Sequence, residues 1–77
     1  MADGRDEWAN RARRYLKAEL KRAEITYEEL ARRLNQMGIE ETKGSVTVKV
    51  NRGAFPAWFL FAAMKAIGRE NISLADI

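Results

Sequence analysis

Neither cysteine nor histidine occurs among the 77 residues. The first absence excludes disulfides and thiolate metal sites, so no staple supports the fold. The second removes the usual imidazole ligand and the usual general base, leaving Ser45 and Ser73 without a partner that could activate them. No glycine-rich phosphate loop is present either. No enzyme activity, no cofactor and no metal is expected. Glu28/Glu29 and Glu40/Glu41 are acidic pairs, but neighbours on a helix do not face each other and nothing completes a metal or acid–base site around them.

Proline occurs once, at Pro56, and 47% of the residues are apolar, which describes a packed domain, not a disordered tail. No run approaches the length of a membrane span, and MADGRDEW has no apolar signal core. Neither a membrane partner nor export is expected, and a cytoplasmic location is the default. The chain reads as one domain, 1–77. At this size only ~60% of the unfolded surface is buried, so stability is marginal unless something supplements the core. Fourteen basic against eleven acidic residues give +3, which permits nucleic-acid binding without demanding it. From Arg11 to Arg22 there are six basic residues and one acid, Glu19.

The stretch 26–56 organises the rest. Thr26 is a good N-cap, Glu29 stands where its carboxylate can reach back to the cap, and Ile25 and Leu30 occupy the positions of a hydrophobic staple. The spacing predicts a helix over 27–36 that buries Leu30, Ala31, Leu34 and Met37 and ends at Gly38. Its charges pair at i,i+4, Glu28 with Arg32 and Glu29 with Arg33, which leaves those arginines less free for DNA. Upstream, residues 1–5 are expected to fray, Asp6 to cap, and 6–23 to form a helix with Trp8, Leu16 and Leu20 inward. Arg14, Lys17 and Lys21 on its outer faces are candidate phosphate contacts; the plainer reading is a solvated surface.

Residues 45–51 fit two patterns. Val46, Val48 and Val50 alternate as in a strand, yet Val46 and Val50 also stand at i,i+4. A strand here could pair only with its copy in a dimer, because nothing else in the chain reads as β. With a capped helix and a turn just before it, helix is the favoured reading. At 100° per residue, Val46 and Val50 then point inward and Gly44, Ser45, Val48, Asn51 and Arg52 cluster outside, flanked by Lys43, Thr47 and Lys49. That face suits a major groove. Gly44 allows close approach, Ser45 and Asn51 can bond base edges, Val48 can touch a thymine methyl, and Lys43, Lys49 and Arg52 can meet phosphate or guanine. An ordinary solvated helix face is the plainer alternative, against which an exposed Val48 counts.

Gly53 ends this element and Pro56 starts the next at its first helical position. The fourth helix, PAWFLFAAMKAIG, is apolar almost all round, more than one core can cover. Residues 69–77 add a short segment capped at Ser73, too short to stand alone, that is expected to dock on the fourth helix or on a partner. Homodimerisation through Trp58, Phe61, Met64, Leu74 and Ile77 is expected.

The run ITYEELARRL, a Gly-Ile turn, and SVTVKVNRG followed by proline resemble the Cro/CI-type (lambda-repressor-like) helix-turn-helix, over about 16–67. The resemblance implies an all-α fold of four to five short helices, with Ser45, Thr47, Val48, Lys49 and Arg52 at readout and phosphate positions. Here the connection 38–43 is longer than that family's tight turn, and Asn51 replaces its usual acid before Arg-Gly. The whole chain is similar also to a small bacterial family described only as a domain of unknown function. The similarity lies in Trp8, LKAEL, TYEELA and the Lys49, Arg52-Gly53, Phe55 run. The expected function is sequence-specific binding of double-stranded DNA by a small dimeric transcriptional regulator. The alternative is a protein-interaction module that reuses the fold, with the apolar fourth helix as its contact surface.

Overall fold

The computed structural model describes residues 3–77 as four α-helices and a closing 3₁₀ turn. These are α1 (Gly4–Arg22), α2 (Tyr27–Gln36), α3 (Lys43–Arg52), α4 (Ala57–Ala66) and Leu74–Asp76. No strand occurs among the described residues, so 45–51 is helical. No helix among them is long and apolar enough to cross a membrane.

The first helix begins earlier than the sequence suggests. Asp3, not Asp6, is the cap, its carboxylate accepting from the N–H groups of Arg5 and Asp6 at 2.8 and 3.2 Å. Residues 3–5 are therefore ordered rather than frayed, and residues 1–2 lie outside the described range. Trp8 was expected in the core but is 57% exposed. The end of α3 meets α1 at Ala9, where Gly53 packs, and residues 3–8 ahead of that point are all exposed. The Arg11 guanidinium covers the Trp8 ring instead, 4.8 Å from its centroid.

The second helix has the expected bounds and an incomplete capping box. The Thr26 hydroxyl accepts from the Glu29 N–H at 3.1 Å, but the Glu29 carboxylate turns to Arg32 and Arg33. The expected Glu28–Arg32 pair is thus replaced by Glu29 holding both arginines, at 2.6 and 2.8 Å. Met37, expected inside, caps the end of α2 and is exposed. Gly38, at φ +84°, then makes the left-handed step.

The lengthened turn is built, not slack. The Ile39 N–H returns to the Leu34 carbonyl at 3.0 Å, and the Asn35 side-chain carbonyl accepts from the Glu41 N–H at 2.9 Å. The complete capping box of this chain stands at the start of α3. There the Thr42 hydroxyl accepts from the Ser45 N–H at 3.0 Å while the Ser45 hydroxyl accepts from the Thr42 N–H at 2.8 Å. Such a cap stabilises a helix by about 1 kcal/mol, enough to favour helix for a valine-rich segment.

At the other end of α3, Gly53 adopts φ +66°, and a Cβ built on it would lie 2.1 Å from the Ala9 carbonyl oxygen. Only glycine lets α3 meet α1 this closely. Pro56 is the cap of α4 rather than its first residue, with its carbonyl accepting from the Phe59 N–H.

Leu16, Leu30, Leu34, Val46, Val50 and Phe59 are fully buried, one or two from each helix. Each such side chain contributes about 1.5–3 kcal/mol. The chain after α4 passes Ile72 and reaches α1, where Arg69 pairs with the buried Glu19 at 3.0 Å and Ile77 packs at the core's edge.

Candidate nucleic-acid interface

Two valines set the attitude of α3. Val46 and Val50 are fully buried, which turns Val48, midway between them, outward at 50% exposure. Lys43, Gly44, Asn51 and Arg52 are exposed around it, and Thr47 is half-buried at the edge with its hydroxyl donated to the Lys43 carbonyl at 2.6 Å. Among the described residues, neither Lys43 nor Arg52 has a carboxylate within ion-pair distance. The first turn of α3 carries no acid, whereas α1 and α2 begin with Asp6/Glu7 and Glu28/Glu29. The partial positive charge of its free N–H groups is therefore not neutralised by its own side chains. Gly44 has open space above it, the nearest atom to a built Cβ being 3.8 Å away. Its missing side chain serves no packing purpose inside the domain.

The other predicted members of this face are engaged within the molecule. Ser45 spends its hydroxyl on the capping box and on Glu41, to which it donates at 2.6 Å. Lys49 pairs with the same Glu41, whose side chain is almost wholly buried, and its ammonium also lies 5.3 Å from the Phe59 ring and 5.9 Å from Trp58. Glu41, Ser45 and Lys49 form an i, i+4, i+8 stripe that fastens the turn to α3 and α3 to α4. Sequence reasoning weighed Glu41 only as half of an acidic pair; the signal that could have found its role is that stripe.

The three phosphate candidates on α1 separate. Lys17 and Lys21 line a shallow cavity with Thr26 and Tyr27 at the start of α2. Arg14 lines a different cavity, of about 300 Å³, with Tyr15, Ala18 and Ile77. Arg13, which the sequence left out of the site, continues the line of Lys17 and Lys21 and sits against Gly53, its Cβ 3.0 Å from a built Cβ there. The exposed Arg52, the half-buried Arg13 and Lys17 and the exposed Lys21 thus run toward the α2 N-terminus. Arg32 and Arg33 stay out of this set, because Glu29 holds both. Hydrogen bonds from Arg32 and Arg33 in turn lower the Glu29 carboxyl from 4.5 to about 2.

The expected dimer residues divide as well. Trp58 and Phe61 are 52% and 61% exposed on α4, and Leu74 also points outward. Met64 is 3% exposed and belongs to the core, one turn beyond Phe61 but on the inner side of α4. Ile77 is half-buried against α1.

The model of the family described as Domain of unknown function (DUF6471) matches residues 8–72. No curated protein and no solved structure matches the chain.

Proposed function

The chain belongs to this family of unknown function, DUF6471, and from that premise we propose that it is a small dimeric, sequence-specific DNA-binding regulator of the Cro/CI helix-turn-helix kind. The observation that carries this reading is the outer face of α3. Val48 stands exposed at its centre, Gly44 is open beside it, and Lys43 and Arg52 at its two ends have no ion-pair partner among the described residues. An apolar contact for a thymine methyl, a donor–acceptor amide at Asn51 and a guanidinium suited to guanine or phosphate are the chemistry that a major groove reads. Lys17, Lys21 and Arg13 supply sequence-independent attraction to the backbone. Ser45 and Lys49 serve the reading helix by fixing it to the turn and to α4.

The test is binding of the purified chain to mixed-sequence duplex DNA at two salt concentrations, followed by selection from random sequences. Affinity that falls steeply with salt, by ~0.9 in the log–log slope per neutralised phosphate, supports the reading. No binding at low salt sinks it. A second reading, a protein-interaction module, draws on Trp58 and Phe61, two large exposed aromatics on a ten-residue helix. Under that reading mutations on α4, not α3, abolish the function.

A further inference from the structure

The outward face of α4 is the least explained surface of the domain. Phe61 rims a shallow cavity of about 310 Å³ whose other walls are Met64, Lys65, Arg69, Glu70 and Ile72. Met64 and Ile72 give it an apolar floor. Arg69 is committed to Glu19 at 3.0 Å, but among the described residues Lys65 has no carboxylate and Glu70 no cation within ion-pair distance. One small patch therefore presents a projecting ring, an apolar hollow beside it, and one unpaired charge of each sign. Trp58 extends the same apolar side of α4 toward α3. Its ring is already held edge-on against Phe59, at 6.1 Å, and beneath Lys49, so burying it costs little further side-chain freedom.

A surface that carries both halves of each contact is what an isologous two-fold interface requires, since every residue meets its complement on an identical patch. We infer that two copies of this chain join through this face of α4, each Phe61 entering the other's cavity and each Lys65 pairing with the other's Glu70. The inference rests on the dimeric part of the proposed function and names the surface and chemistry that would produce it. An unrelated apolar partner would need the ring and the hollow but would leave Lys65 and Glu70 unmatched.

Sedimentation equilibrium of the full chain, from low to high micromolar concentration, tests this. The wild type is expected to dimerise. Phe61→Glu should weaken the dimer roughly a hundredfold, as loss of a central aromatic anchor does, and because Phe61 is exposed its helical circular dichroism should match wild type. Lys65→Glu and Glu70→Lys should each weaken it about tenfold, having turned both symmetric pairs into like charges. The double exchange should return to within about threefold of wild type. A monomeric wild type, or a dimer that Phe61→Glu leaves intact, overturns the inference, and a double exchange no tighter than the single ones overturns the Lys65–Glu70 pairing. The duplex assay separates this from the parent reading. Monomers that bind DNA sink the α4 interface and the dimeric part of the proposed function but leave the DNA reading, and dimers that do not bind DNA sink only the DNA reading.

Discussion

Lys49 and Arg52 stand three residues apart on one helix, both cationic, and the structure treats them oppositely. Lys49 is partly sheltered, ion-paired with a buried carboxylate and laid over two aromatic rings, whereas Arg52 is exposed in the last turn and has no ion-pair partner among the described residues. The same division separates Ser45, whose hydroxyl is spent on Glu41 and the cap, from Asn51, which is exposed. One flank of α3 serves the fold and the other is free to meet a ligand. A basic residue in a helix-turn-helix pattern is thus a candidate contact only when its charge is not already neutralised inside the protein. That depends on which flank the neighbouring helix covers.

The comparison can be broken outright at Gly53, which holds both flanks in place. Gly53→Ala forces a methyl group into the Ala9 carbonyl and strains a left-handed residue, so unfolding free energy should fall by about 2–4 kcal/mol. Thermal melting checks it; an unchanged midpoint would mean that α1 and α3 do not pack this closely. On the sheltered flank, Glu41→Ala leaves Lys49 without its acceptor and Ser45 with only the Thr42 carbonyl, and should cost about 1–3 kcal/mol of stability, read from chemical denaturation. The exposed flank should show the reverse pattern. Arg52→Ala and Val48→Glu should each reduce duplex affinity by about 1–2 kcal/mol while changing stability by less than about 0.5 kcal/mol. Unchanged binding in both would remove α3 as the reader.

Smaller effects sharpen the same contrast. Gly44→Ala adds a methyl group in open space at a helical position, so stability should rise by roughly 0.5–1 kcal/mol. If α3 enters a groove, the same variant should bind duplex DNA more weakly, because the backbone can no longer approach as closely. The smallest effect concerns α2, whose charges are spent internally. Glu29, lowered from 4.5 to about 2 by Arg32 and Arg33, contributes stability that is fully present above pH 4.5 and is lost as pH falls toward 2. Glu29→Gln should flatten that part of a melting-temperature profile against pH, and an unaltered slope would show that the pairs do not persist in solution.

Much of the fold was legible because its signals are local. Thr26 and Gly38 bracket α2, Gly53 stops α3, and Leu16, Leu20, Leu30, Leu34, Val46 and Val50 all lie inside at the spacing their helices require. The errors share a cause. Trp8 and Met37 have helical spacing but are exposed, and Met64 sits inside although Trp58 and Phe61 on the same helix lie outside. Periodicity tells which residues share a face, not how far the neighbouring element extends. The candidate interface was legible as a helix face, since Val48 opposite Val46 and Val50 follows from 100° per residue. Arg13 was missed because its relevance comes from Gly53, forty residues later, bringing α3 against α1.

By itself the sequence determined an all-helical domain without metal-binding thiols or imidazoles, its helix stops, and the inward valines that orient α3. Caps, left-handed glycines and i,i+4 apolar pairs act within a few residues, so composition and spacing suffice to write them down. The tertiary structure alone decided which charges are neutralised and which apolar residues remain in water. Glu41 reaches Lys49 only after α3 has formed and the turn has folded back on Asn35. Phe61 stays exposed because α4 packs on α2 through its other side, where Phe59, Ala63 and Met64 are buried.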